Sequence, residues 1–504
     1  MKAIQALKQR LFPSDAGYSL RSQLGYCAGI FGNCMGQDST DNLSDKFCRQ
    51  FMGVQHGHMT LSGNLTLAMG FLASSLSGYI LDTPVKKNRI TPARIMTGIM
   101  PVPFAIATVL LFVVPTGDAF KNFLWMLAFR LLFRTTDSFY DASLNTLSLR
   151  IVDRIEDRKS FYTVGTFASA LGGMLPEWLI SVLVGNTQNL TRQQNHYLYV
   201  TLAFSLIGVV MMIVPFFTMQ EKILLTERPE KQKVTWDRQV ISSLLHNRSF
   251  LVVEAATLFE QIRQIPYKLL TYVYEDVLLD YGLKGFMDPI SGTLSYLGLA
   301  MVPSLTSRFA PRTLLSGGFA YTGIFYSIIG LFGLRYSSQK MHRNRLLIGL
   351  LIALAGMPNN AISASKRIVV GDSTDYMEWY AEKHFGRPIH AEGFISGAQG
   401  VLGSVFDIIR TNIYNVWFGK LGYQKKQKDA FGETIPQSLS TQKGIFRMAV
   451  ILGVIGNFCA AITYLFDNYH GKRKETIEAE LAQMREKRRQ LVDARSAEVL
   501  SATE

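Results

Sequence analysis

GDSTDYMEWYAEKHFGRPIHAEG, residues 371–393, is a dense charged segment held between two long apolar runs, roughly 345–370 and 394–418. Its acids are Asp372, Asp375 and Glu378. Its aromatics are Tyr376 and Trp379, and its basic groups are Lys383, Arg387 and His390. Glu392-Gly393 then re-enters an apolar run. A solvated loop needs no such mixture of opposite charges and rings. At the mouth of a membrane protein, such a cluster pins two helices in one conformation and releases them in another. The remainder of the chain supplies the helices.

Of 504 residues, 48% are hydrophobic and 18% are charged, against about 25% charged in soluble domains. The formal net charge is +14. On a soluble chain that excess would point to nucleic acid. Here the basic residues cluster in short gaps between apolar runs, as the positive-inside bias requires, so no nucleic-acid partner is expected. Cys27, Cys34, Cys48 and Cys459 show neither metal-ligand spacing nor a disulfide framework. Residues 1–20 are amphipathic and lack the apolar core of a cleavable signal peptide.

A spanning helix needs about 20 mostly apolar residues. Twelve candidates lie at approximately 22–51, 60–81, 93–115, 121–148, 161–184, 198–218, 249–278, 290–308, 313–334, 345–370, 390–418 and 445–467. Several carry polar residues at intervals, which points to an interior lining. The polar gap 219–248 divides the spans six and six, and WDRQVISSLLHNRS within it predicts an amphipathic surface helix. The expected organisation is an N-terminal bundle over 1–218, a linker over 219–248, a C-terminal bundle over 249–470 and a charged tail over 471–504. That tail reads as a solvated charged helix or a loose end. Lys86, Lys87, Arg89, Arg94, Arg150, Arg154, Arg158 and Lys159 fall in gaps on one side and predict cytoplasmic termini. The basic gaps at 335–345 and 419–447 run against that rule. The basic turns GYILDTPVKKNRITPAR and SRFAPRTLLSGG, after the second and eighth spans, mark the halves as repeats.

Asp38, Asp41 and Asp45 follow one another at spacings of three and four and share a helix face. Either they line a wet cavity, or the first helix ends near residue 37 and leaves them outside, partly neutralised by Lys46 and Arg49. In TTDSFYDASLNTL, Asp137 and Asp141 share a face one turn apart. Glu260 and Arg263 have the spacing of an i,i+3 pair. Lys366 and Arg367 either snorkel or pair with Asp372 or Asp375. Asn359 and Asn360 follow Pro358, where amides contact a solute or bond freed backbone.

Segment 371–404, Phe31-Gly32-Asn33, the stretch Gly63 to Gly78, the turn at 82–92 and the surroundings of Asp141 together resemble the glycoside–pentoside–hexuronide:cation symporters. These are the melibiose-carrier branch of the major facilitator superfamily. The resemblance implies an all-α membrane protein of twelve transmembrane helices in two six-helix bundles. It implies substrate contacts at Asp141, Asn145 and Cys34, the last two at positions where the family carries a sugar-stacking aromatic and an acid. Asp38, Asp41 and Asn359 are further candidate contacts. Carboxylates suit sugars because each oxygen accepts two hydrogen bonds and vicinal hydroxyls present paired donors. Gating is expected from Asp82, Arg89, Asp372, Asp375, Glu378, Arg387 and Glu392. The family's sodium site uses two aspartates on the second helix. Here LTLAMGFLASSLSGYI offers only Ser74, Ser75 and Ser77, and the family's lysine position falls at Ser404. Coupling to protons, through Asp38, Asp41 or Asp141, is therefore expected ahead of sodium, uncoupled transport is equally open, and no metal and no cofactor is expected.

The expected function is alternating-access transport of a small polar solute, a sugar or glycoside, by a monomer in contact with membrane lipid, in a bacterial-type plasma (inner) membrane. The alternatives are a lipid, lysolipid or cationic-solute transporter, and a non-transporting sensor on the same scaffold. Phosphate-cradling glycine loops, zinc-spaced His or Cys clusters and nucleophile elbows are all lacking, so an enzyme is not expected.

Overall fold

The computed structural model describes residues 18–81, 90–115, 117–151, 155–219, 238–306, 308–386, 391–429 and 433–503. Among them, twelve long helical rods run side by side. The first, α1, spans Leu20–Asp38 and continues through a π-helical turn Ser39–Leu43, a helix Ser44–Phe47 and a second π-helical turn Cys48–Met52. Gly53, at φ 69°, ends it. Helices α2 (His56–Leu81), α3 (Pro92–Ile99, continued by Pro101–Leu110), α4 (Ala119–Ile151), α5 (Ile155–Gly185) and α6 (Leu190–Thr218) complete the first half.

The second half holds α7 (Arg248–Tyr272, extended by the π-helical turn Val273–Val277), α8 (Tyr281–Thr306), α9 (Pro311–Phe332), α10 (Arg345–Ala355 and Asn359–Phe385), α11 (Ala391–Lys420) and α12 (Leu439–Tyr464). A tail helix, α13, spans Gly471–Thr503. The amphipathic linker helix expected before α7 is present as Arg238–His246.

Hydrocarbon offers backbone groups no partner, so each crossing must be helical. Among the described residues, seven helices are long and apolar enough to cross a membrane by composition: α2, α3, α5, α6, α9, α10 and α12. The other five rods, α1, α4, α7, α8 and α11, carry Asp38, Arg130, Glu260, Lys284 and Arg410 among their residues. Charge inside a membrane faces the protein interior, so those five are the rods expected around a cavity. Exposed Phe71, Leu206, Val210 and Leu331 clothe the outside, as a lipid-facing surface requires.

Within the first half α1 packs between α5 and α6, and within the second α12 packs on α7 and α9. Two glycines set how closely these rods approach. A Cβ at Gly32 would stand 2.6 Å from the Gly208 carbonyl on α6, and one at Gly456 would stand 2.6 Å from the Arg263 backbone nitrogen. The halves meet along α5–α8 and α2–α11. The N-terminus of α1, the linker helix and α13 share one end of the bundle, the linker face; the opposite end is the far end.

Of the two readings of the first helix, the longer one holds: its helical turns run to Met52. The tenth span, expected at 345–370, is longer than that, since α10 runs on through Phe385 and turns only at Gly386, φ 67°.

Candidate functional site

Between the halves lies a cavity of about 370 Å³. From the first half it is lined by Asp38, Asp41, Asp45, Arg130 and Arg134. From the second it is lined by Gln264, Lys268, Asp407, Arg410 and Asn415. The π-helical turn at 39–43 separates Asp38 from Asp45, and both still reach the cavity. Such turns inside helices are frequent at functional sites. Asp38 rests on α5, where a Cβ at Gly173 would collide with its Oδ2.

Four carboxylates (Asp38, Asp41, Asp45 and Asp407) and four cations (Arg130, Arg134, Lys268 and Arg410) line this one space. Arg130 pairs with Asp45 and donates to Ser44 Oγ at 3.1 Å. Arg134 donates to Asp137 at 3.1 Å, and Gln37 donates to the same carboxylate oxygen at 3.3 Å. Arg410 lies 3.2 Å from Asp407 and donates to Gln261 and Gln264, each at 2.7 Å. Among the described charges of this cavity, Asp38, Asp41 and Lys268 are left with neither a hydrogen bond nor an ion pair, two acids from one half and a cation from the other.

Beyond the cavity, the far end ties the halves together. Largely buried Glu275 on α7 takes Lys46 of α1 and Lys426 of the α11–α12 connection, and Gln50 donates to it at 3.1 Å. Lys426 also donates to Gln193 of α6 at 3.0 Å. Arg49 bonds Asn415, and Tyr423 donates to Asp276 at 3.2 Å. The α11–α12 connection crosses to the first half, where Glu433 bridges Asn189 and the Thr434 amide donates to the Gln188 carbonyl at 3.0 Å. Lys284 of α8 donates to Glu177 of α5 at 2.6 Å. Toward the linker face, in contrast, Asp141, Asn145 and Arg367 are exposed.

The residues singled out in the sequence fall in three places. Asp38 and Asp41 line the cavity. Asp141 and Asn145 face open space one and two turns beyond Asp137 toward the linker face. Cys34 is buried against α5, its Sγ 3.1 Å from Ser169 Oγ. Asn359 Oδ1 accepts from Arg263 at 2.9 Å and from Tyr267 at 3.1 Å. The expected Glu260–Arg263 pair is not formed. Glu260 instead takes Lys366 at 2.7 Å, the same lysine that was expected to snorkel or to pair with Asp372 or Asp375.

Asp372, Asp375 and Glu378 face the tail. Lys474 donates to Asp372 at 2.7 Å, and Arg485 donates to Asp375 at 2.8 Å and to Glu378 at 2.5 Å. Glu480 accepts from Trp379 Nε1 at 2.7 Å and from Lys383 at 2.8 Å. Tyr376, Tyr469 and Ile477 bury together beneath these bonds. The tail is thus a docked helix, not a loose end. Asp82, Arg89 and Arg387 lie outside the described residues; Glu392 belongs to α11, and its side chain lies outside them.

Sequence reasoning missed Arg130, Arg134, Asp407 and Arg410. A signal was present: Arg134 precedes Asp137, and Asp407 precedes Arg410, by three residues inside otherwise apolar spans. On the second helix Ser75 donates to the Phe71 carbonyl at 2.9 Å and Ser77 to that of Ser74 at 2.8 Å. Among the described residues no cluster of three or more His, Cys, Asp or Glu is placed to hold a metal.

Two six-helix halves around a polar central cavity, tied at one end, define an integral-membrane solute transporter of the major facilitator class. The chain belongs to the family described as MFS/sugar transport protein, whose profile matches residues 47–386. That family is made of transporters, not enzymes.

Solved structures share the fold. The nucleoside transporter NupG is 14% identical, with TM-score 0.56 over 88% of this chain and 99% of its own. The xylose transporter XylE from E. coli, in an inward-open conformation, is 13% identical, with TM-score 0.57 over 91% and 98%. A structure concerned with substrate recognition in proton-dependent oligopeptide transporters is 12% identical, with TM-score 0.55 over 93% and 100%. At these identities the likeness is one of fold alone. No curated protein sequence matches the chain.

Proposed function

We propose that this protein carries a neutral, polyhydroxylated solute, a sugar or glycoside, across the membrane by alternating access. The observation that carries the proposal is the balanced cavity, with four carboxylates facing four cations. The acids of α1 alone would favour a cationic solute, and Arg130, Arg134, Lys268 and Arg410 remove that preference. Hydroxyls donate to Asp38 and Asp41 and accept from Lys268, so one polyol answers all three groups without importing charge. Asp141 and Asn145 would meet the solute on its way to the linker face.

The bundles 1–218 and 249–470 would rock about the central cavity as bodies joined by 219–248. With positive-inside orientation, the linker face is cytoplasmic, both termini are inside, and this conformation is inward-facing. Asp82, Arg89, Arg387 and Glu392 are assigned to closing that face. The driving ion is the proton, because the second helix offers no carboxylate to hold sodium. A monomer in a bacterial-type plasma membrane fits these features.

A lipid transporter is the alternative that one observation favours. Met301, Phe309, Tyr321, Met357 and Ile362 line an apolar crevice of about 370 Å³ between α8, α9 and α10. Uptake of labelled glycosides, pentoses, hexuronates and lysolipids into proteoliposomes separates the two. The expected result is sugar uptake driven by a proton gradient and indifferent to sodium. Lysolipid flux without sugar flux would overturn the proposal.

A further inference from the structure

The second half holds a separate group of charges, nearer the linker face than the central cavity. Glu254, Thr257 and Glu260 of α7, Ser363, Lys366 and Arg367 of α10, and Gln399 of α11 surround an open vestibule of about 500 Å³. Glu260, only 8% exposed, ties three helices together. Its carboxylate takes Lys366 of α10 at 2.7 Å and a hydrogen bond from Tyr464 of α12 at 3.0 Å. Lys366 also donates to Thr257 at 2.8 Å. Glu254 faces this pair from the same helix and accepts from Gln399 at 2.9 Å. Arg367 is exposed beside them, and Arg263 stands one turn on along α7. A buried pair is held only while both members are charged, since removing one charge leaves the other uncompensated.

We propose that Glu260 is the proton-binding site that couples the gradient to the movement of the halves; this rests on the transport function argued above. A proton from water at the linker face moves onto a Glu260 carboxylate oxygen and gives a neutral acid. Lys366 remains an ammonium and loses its direct ion-pair partner, so the tie between α7 and α10 loosens. The path from there to the cavity is short. Above Lys366, α10 is interrupted between Ala355 and Asn359. Asn359 holds Arg263 at 2.9 Å, and Arg263 adjoins Gln264, which lines the central cavity. The coupling group thus lies on the second half, away from the second-helix position that the sodium-driven relatives use.

The test avoids any dependence on the solute. Spin labels at Ile90→Cys and Phe309→Cys, exposed positions of opposite halves at the linker face, report the separation of the halves in a background without the native cysteines. The wild-type distance distribution should shift between alkaline and acid pH. Glu260→Gln should show the acid distribution at every pH. Lys366→Met should also lose the shift, and Glu254→Gln should retain it.

In proteoliposomes, one pH unit of gradient corresponds to about tenfold accumulation for one proton per solute. That accumulation should vanish in Glu260→Gln while solute counterflow persists. A Glu260→Gln protein that follows pH like the wild type overturns the proposal, as does a wild type indifferent to pH. Counterflow of sugar in a pH-indifferent wild type would leave sugar transport standing and remove only the coupling site. A pH response without any sugar flux would do the reverse.

Discussion

Gly173 has no side chain, and Asp38 occupies the space where one would be. Gly173→Ala should therefore act on solute binding without touching a polar group, by pushing the carboxylate away. Hydrogen bonds to a charged group are worth about 1.5–3 kcal/mol, so Gly173→Ala and Asp38→Asn should each raise the KM for uptake roughly ten- to a hundredfold. Unchanged KM in both would remove Asp38 from the solute site. Glu275 has a different role. Glu275→Gln removes the direct partner of both Lys46 and Lys426, a loss that costs about 3–5 kcal/mol in comparable buried pairs. The far end should then open, seen as a longer label distance across it; an unaltered distance would mean that the pair is not what closes it. The acids of α1 were legible in the sequence because spacings of three and four define a helix face. Their counter-charges were not, since Arg130, Lys268 and Arg410 lie on three other helices and meet only in the folded bundle.

At the scale of the element, α13 is the least expected. Its sequence is polar nearly all round, so no apolar stripe announces a docking face. The contact rests instead on Lys474 and Arg485 meeting the α10 acids, on Glu480 meeting Trp379 and Lys383, and on a small aromatic group. Hydrogen bonds from Lys383 and Trp379 hold the Glu480 carboxyl below its ordinary range. A lowered value in the docked state means that docking is favoured above the ordinary glutamate range and weakens as pH falls through the lowered value. Trp379 fluorescence should therefore be flat near neutrality and change only in acid, and Arg485→Ala should give the undocked signal at neutral pH. The π-helical turns of α1 were equally illegible, because no proline or glycine marks residues 39–43. The α10 break was half visible through Pro358.

At the scale of the molecule, the two-bundle fold was legible because twelve apolar runs and a repeated basic turn survive in one dimension. Which end is closed was not, since it depends on groups as distant in sequence as Lys46 and Glu275. The far end offers a direct check. Asn189 and Glu433 sit opposite one another as an antiparallel pair, a separation that suits a disulfide. Asn189→Cys with Glu433→Cys should stop transport when oxidised and restore it on reduction. Transport that continues in the oxidised protein would show that the halves need not part there. The docked tail also has a consequence during synthesis. Lys474 follows Asp372 by 102 residues and Arg485 follows Asp375 by 110, so at about 5–20 residues per second the ribosome takes about 5–20 s to deliver the cations after the acids. For that interval the nascent α10 carries Asp372 and Asp375 without their tail partners, and a chain that terminates before residue 474 never gains them.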